Sequence, residues 1–218
     1  METVRAFTDG SGAEPVRGFL HVPAQPVPGM LILTHGAGAN CQTTLLLALA
    51  DAFAQAGVAV LRCDLPFRQE KPHGPPLRTA ERDQAGLMAA AEAMRREGAK
   101  RIWLGGHSYG GRMASMLAAR EPELAEALLL LSYPLHPPSK PEQLRTQHFA
   151  RIRTPALFVS GMRDGFAAIA ELEAARKLIP ARTLLVPVAS AGHELLGKSN
   201  RERLPHLIAD EFLSFVDA

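Results

Sequence analysis

The chain contains a serine bracketed by glycines, Gly105-Gly106-His107-Ser108-Tyr109-Gly110-Gly111, between an apolar run, Ile102-Trp103-Leu104, and a helix-like segment from Arg112. Strand, G-x-S-x-G, helix is the context a nucleophile elbow requires. The glycines have a steric reason. The serine would sit on a sharp, strained turn, where a Cβ on either flank would strike a neighbouring strand or helix. The pentapeptide alone also fits an ordinary glycine-rich turn, so the other residues decide. A serine hydroxyl is barely nucleophilic at neutral pH and needs a base. His193, in the small-residue loop Ala189-Ser190-Ala191-Gly192-His193-Glu194, is the candidate base. Asp164, in Gly161-Met162-Arg163-Asp164-Gly165, is the candidate that holds the imidazole in the right tautomer and stabilises its cation. Taken singly, Asp164 reads as turn chemistry and His193 as a surface loop residue. Together they run Ser, Asp, His, each just past an expected strand, which is the order of a triad built on such an elbow. The developing oxyanion needs two backbone N–H groups. The expected donors are Tyr109, next to the serine, and Ala37, in the His35-Gly36-Ala37 turn.

These residues need elements to place them. Residues 3–8 and 16–22 read as two short strands around a turn at Asp9-Gly10-Ser11-Gly12. Met30-Leu31-Ile32-Leu33-Thr34 is a continuous apolar run of the kind buried on both sheet faces. A helix over 43–56 follows, stopped by Gly57, then a strand over 58–64. The stretch 66–76 holds Pro66, Pro72, Pro75 and Pro76 and reads as a loop without regular structure. A helix over 79–97, a strand over 101–105 and a helix over 112–120 surround the serine turn. Further strands are expected at 128–131, 155–160 and 182–188. Helices are expected at 142–152, 168–179 and 201–216. Alternating strands and helices mean an α/β fold, a three-layer α/β/α sandwich on a mostly parallel sheet, in one domain over 1–218. In such sheets the active crevice lies beyond the carboxyl ends of the strands, which is where Ala37, Ser108, Asp164 and His193 fall.

The whole composition narrows the function classes. The 218 residues are 47% hydrophobic and 21% charged, with net charge +2. That balance suits a globular protein and gives no basic stripe for nucleic acid. Arg95-Arg96 and Lys100-Arg101 read as cations at a helix C-terminus. Cys41 and Cys63 are too few for a disulfide framework and are expected as buried thiols. No secretory signal or membrane span is evident, so a cytoplasmic location is expected.

On Thr34-His35-Gly36-Ala37-Gly38-Ala39, the Gly105 to Ala114 stretch, Val159-Ser160-Gly161-Met162-Arg163-Asp164 and Ala191-Gly192-His193, the chain resembles the α/β-hydrolase superfamily. The Gly110-Gly111-Arg112 run and Ser132-Tyr133-Pro134-Leu135-His136-Pro137-Pro138 make it look most like a small capless branch. That branch includes dienelactone-hydrolase-like proteins and bacterial relatives of testis-expressed protein 30 and NSL-complex subunit 3. The resemblance implies an α/β-hydrolase fold but no established substrate. Dienelactone hydrolases use a cysteine where this chain has Ser108, so their substrate does not carry over. The stretch from Pro134 to Pro155 is too short for a lid domain. An open site is expected, rimmed by loops 66–76 and 134–141, with Arg68, His73, Arg78 and His136 as either contacts to an acidic substrate group or solvated loop residues.

The expected activity is hydrolysis of an ester or related acyl bond in a small-molecule substrate, with no cofactor and no metal. A competing reading is a non-catalytic binding or scaffold module on the same fold. A dinucleotide site is imitated by Gly36-Ala37-Gly38-Ala39-Asn40-Cys41 with Asp64, but the third small position is Cys41 and the serine, aspartate and histidine go unexplained. His193-Glu194 begins like a zinc motif, but Gly197 stands where the second histidine belongs.

Overall fold

The computed structural model describes residues 3–76 and 80–218. Among them one eight-stranded sheet runs in the order β1-β2-β4-β3-β5-β6-β7-β8. β1 (Thr3–Asp9) and β2 (Val16–Val22) are antiparallel to each other, and β2 is antiparallel to β4 (Ala59–Cys63). From there the sheet is parallel through β3 (Gly29–Thr34), β5 (Arg101–His107), β6 (Ala127–Leu131), β7 (Ala156–Gly161) and β8 (Thr183–Val188). The helices are α1 (Thr44–Gln55), α2 (Pro66–Glu70), α3 (Ala80–Arg96), α4 (Tyr109–Arg120), α5 (Ile169–Arg176) and α6 (Leu204–Asp217).

The unbroken apolar runs make sense because successive strand residues serve opposite faces. Leu31 and Leu33 of β3, Trp103 of β5, and Leu129 and Leu131 of β6 pack with α1 and α6. Ile32, Leu104, Leu128 and Leu130, one residue out of phase, pack with α3 and α4 on the other face. Both helical layers are thus fixed by period two in the strands. All of these strand residues are essentially inaccessible to solvent except Trp103, at 2% exposure. No helix among the described residues is long and apolar enough to cross a membrane.

Three sequence expectations change. The stretch 66–76 is not devoid of regular structure, because α2 occupies its first half. Pro66 stands in the first turn, where a missing N–H costs nothing, and the Phe67 N–H is capped from a distance by Asp83 Oδ1 at 3.1 Å. The helix expected at 142–152 shrinks to one 3-10 turn, Phe149–Arg151. The Arg145 N–H is instead donated to Leu135 O at 2.8 Å, so it is lost to any helical ladder. Third, β5 continues to His107 and α4 begins at Tyr109, so the turn between them is a single residue, Ser108. The expected start of the third helix at Thr79 and the candidate Arg78 lie outside the described residues.

Candidate active site

Ser108 has φ 51° and ψ −114°, a left-handed conformation that L residues avoid. Holding it there costs on the order of 1–3 kcal/mol, supplied by the surroundings. Its N–H donates to Leu131 O on β6 at 2.8 Å, and the next helical amide, Gly110 N–H, donates to His35 O at 3.1 Å. The flanking glycines permit this closeness. A Cβ on Gly106 would lie 2.6 Å from the Gly110 carbonyl carbon, and one on Gly110 would lie 2.8 Å from His35 O. Strand, elbow and the turn after β3 are therefore packed backbone to backbone, and the Ser108 hydroxyl is left facing outward.

The histidine and the aspartate come from adjacent loops after β8 and β7. Those loops are stitched by Met162 N–H to Val188 O at 3.0 Å and Arg163 N–H to Ala191 O at 2.9 Å. Gly161 is needed at their crossing, since a Cβ there would come within 2.4 Å of Ala191 O. The Asp164 side chain is wholly buried, and Phe166 N–H donates to its Oδ1 at 2.8 Å. His193 Nδ1 lies 2.9 Å from both carboxylate oxygens of Asp164. His193 Nε2 lies 2.9 Å from Ser108 Oγ. A carboxylate only accepts, so Nδ1 carries the proton and Nε2 is left to accept from the serine hydroxyl. The Phe166 ring lies over the imidazole, with centroids 4.2 Å apart, and shields one of its faces.

Ala37 and Tyr109 line the same cleft as Ser108. Tyr109 is the first residue of α4, where helix geometry directs the N–H out of the helix end. Its hydroxyl is turned away, donating to buried Asp83 at 2.7 Å. Ala37 is held from behind, its carbonyl accepting from Arg68 at 2.8 Å. The five residues singled out in the sequence are thus brought to one place.

Four further residues matter that the sequence reading did not pick out for this site. His107 Nε2 donates to the His193 carbonyl at 2.8 Å and so fixes the loop that carries the imidazole. Burial holds the His107 ring below its ordinary pKa, keeping it neutral with the proton on Nε2. The middle position of G-x-S-x-G carries no composition signal for that. Phe166 is the second, and Arg112 and Arg145, which line the cleft, are the others. Of the rim candidates, the three that are described, Arg68, His73 and His136, do not line the cleft. Arg68 is buried and donates to four carbonyls, those of Ala37, Ala39, Lys71 and Gly74, at 2.7–2.9 Å. His136 is buried beside Glu171, with Nε2 to Oε2 at 3.2 Å. His73 is exposed and does not line the cleft. Asp64, the acid of the dinucleotide pattern, accepts from Cys41 N–H at 2.7 Å. The Cys41 and Cys63 thiols are free and buried. Burial pushes Cys41 up to about 12 and Cys63 well up too, so neither is a thiolate at neutral pH.

The cleft above Ser108 has a volume of about 970 Å³ and is bordered by Pro75, Pro76 and Pro134. The connection from β6 to β7 carries only the 3-10 turn, and no lid-like element covers the cleft among the described residues. A mostly parallel sheet, an elbow serine after its central strand and an uncapped cleft define a lidless α/β hydrolase architecture. The model of the alpha/beta hydrolase domain family matches residues 28–212, and the chain belongs to that family. Solved structures agree on the fold. The chain is 21% identical to dienelactone hydrolase from Anabaena variabilis, with 98% of each chain covered and a TM-score of 0.78. It is 18% identical to Est1E from Butyrivibrio proteoclasticus, covering 98% of this chain and 99% of that one, with a TM-score of 0.78. A serine hydrolase without lid from Xanthomonas campestris is 18% identical, over 99% of this chain and 96% of that one, at a TM-score of 0.75.

Proposed function

We propose that the protein is a serine hydrolase that cleaves an ester or related acyl bond through an acyl-enzyme. The observation that carries this is the continuous chain from Ser108 Oγ through His193 to buried Asp164, each link at 2.9 Å. Ser108 Oγ attacks the acyl carbon while His193 Nε2 takes its proton. Asp164 holds Nδ1–H and stabilises the imidazolium. The Ala37 and Tyr109 N–H groups stabilise the tetrahedral oxyanion. Collapse breaks the bond to the leaving group, which departs with the proton from His193. A water then enters, gives its proton to His193 and releases the acid, regenerating Ser108. Membership of the family and the fold shared with a lidless serine hydrolase support the reading.

The test is turnover of short p-nitrophenyl esters. Ser108→Ala should keep the wild-type circular dichroism spectrum and lose about 10⁴-fold or more in kcat. Equal turnover in that variant would remove Ser108 from the mechanism.

A further inference from the structure

Arg112 and Arg145 stand on the β6 side of the cleft, both lining it together with Ser108. Neither is a loose surface side chain. Arg112 lies one turn into α4, and its own N–H donates to Ser108 O at 3.0 Å. Arg145 is pinned at both backbone groups, its N–H on Leu135 O at 2.8 Å and its carbonyl under Tyr133 Oη at 2.9 Å. The guanidinium groups have little to meet. Arg145 Nη1 reaches Pro134 O at 3.2 Å. Arg112 Nε is buried without a hydrogen-bond partner among the described residues. No carboxylate among those residues pairs with either arginine. The groups whose charge bears on Arg145 are Arg112 and Tyr133, and burial, then the Arg112 charge, presses its pKa below the ordinary value. Neighbouring His148 is held neutral by burial and by Arg112 and Arg151, so it adds no third positive charge and supplies no counter-charge. Two like charges and an unpaired buried donor beside a nucleophile are an unfavourable arrangement in the absence of an anion. Planar guanidinium forks are the side chains suited to carboxylate and phosphate oxygens. Glu194, the one carboxylate lining the cleft among the described residues, stands next to His193 and pairs with neither arginine.

We propose that Arg112 and Arg145 form an anion subsite, and that the substrate is an ester bearing a carboxylate or phosphate group that docks there while its acyl carbon reaches Ser108. The proposal deepens the serine-hydrolase reading and rests on it for the word substrate. Glu194, which lines the same cleft, repels the same group and so favours a single orientation.

The experiment has an arm that needs no turnover. Ser108→Ala protein is titrated calorimetrically with 4-acetoxybenzoate, 4-acetoxyphenyl phosphate and monophenyl adipate, each against a neutral ester of matching size. The first two carry the anion on the leaving group, the third on the acyl chain. At least one anionic ester should bind about tenfold or more tightly than its neutral partner, and the tightest tells which anion and which side. Adding Arg112→Gln or Arg145→Gln to Ser108→Ala should bring that ratio down toward one, while Arg112→Lys, which keeps the charge, should retain part of it. Equal binding of every pair, or a preference that survives both glutamine variants, overturns the subsite. In the second arm, wild-type kcat/KM on the same pairs should show the same preference. Anion-selective binding without hydrolysis of any ester would uphold the subsite and sink the hydrolase reading alone.

Discussion

Arginines stand on both sides of the Ser108 turn, buried at Arg68 and half-buried at Arg112 and Arg145, and the two sides are treated in opposite ways. On the β3 side, Arg68 sits in α2 with its guanidinium donating to four backbone carbonyls and resting over the Phe67 ring at 4.9 Å. It binds the turn at Ala37 and Ala39 to the loop at Lys71 and Gly74. On the β6 side, the Arg112 and Arg145 side chains share a single carbonyl contact, Arg145 to Pro134, and neither pairs with a carboxylate among the described residues. A buried cation whose donors are saturated by backbone is part of the frame. A pair whose donors are left over, lining the same cleft as Ser108, is what the proposed anion subsite would use. The contrast follows from desolvation: charge removed from water is tolerated only where something replaces the water.

That contrast can be broken by substitution. Arg68→Met should have the largest effect, costing about 3 kcal/mol in urea denaturation because it strands several buried carbonyls. It should also reduce ester turnover by loosening the Ala37 turn. A loss under about 1 kcal/mol with full activity would show that Arg68 is not structural. His148, hydrogen-bonded to Ser115 and under the charge of Arg112 and Arg151, gives the next effect. Its Nε2 donates to Ser115 Oγ at 2.8 Å. Burial, then Arg112 and Arg151, lower it from 6.5 to about 4. The folded protein therefore binds this proton less readily than the unfolded chain. Its stability contribution is full above pH 6.5 and falls as the pH drops toward 4, by about 2 kcal/mol once residual solvent contact is discounted. His148→Gln should flatten that part of the stability–pH curve, and an unchanged slope would show that His148 titrates normally. The smallest effect is expected for Arg145→Gln. Relief of its repulsion by Arg112 should leave stability within about 0.5 kcal/mol of wild type or raise it. A loss above about 2 kcal/mol would mean that Arg145, like Arg68, is part of the frame.

Much of this was legible in the chain itself. Period-two burial in runs such as Leu31-Ile32-Leu33 and Leu128-Leu129-Leu130-Leu131 made the strands readable, and the strand ends then located Ser108, Asp164, His193, Ala37 and Tyr109. What was not legible depends on contacts distant in sequence. α2 forms in a proline-rich stretch because Asp83, sixteen residues on, caps it. The 142–152 helix fails because Leu135 takes the Arg145 N–H. Arg68 and Arg112 are alike as letters, and only the backbone around each tells which is saturated. His107 shows no pattern at all until the loop after β8 is laid over it.

The central claim is that Ser108 is a nucleophile poised by His193. The most direct measurement is labelling of the wild-type protein with a fluorophosphonate, followed by mass spectrometry of its peptides. One adduct on Ser108 is predicted, absent in Ser108→Ala and strongly slowed in His193→Ala. A folded wild-type protein that takes up no label, or takes it at another residue, would contradict the account.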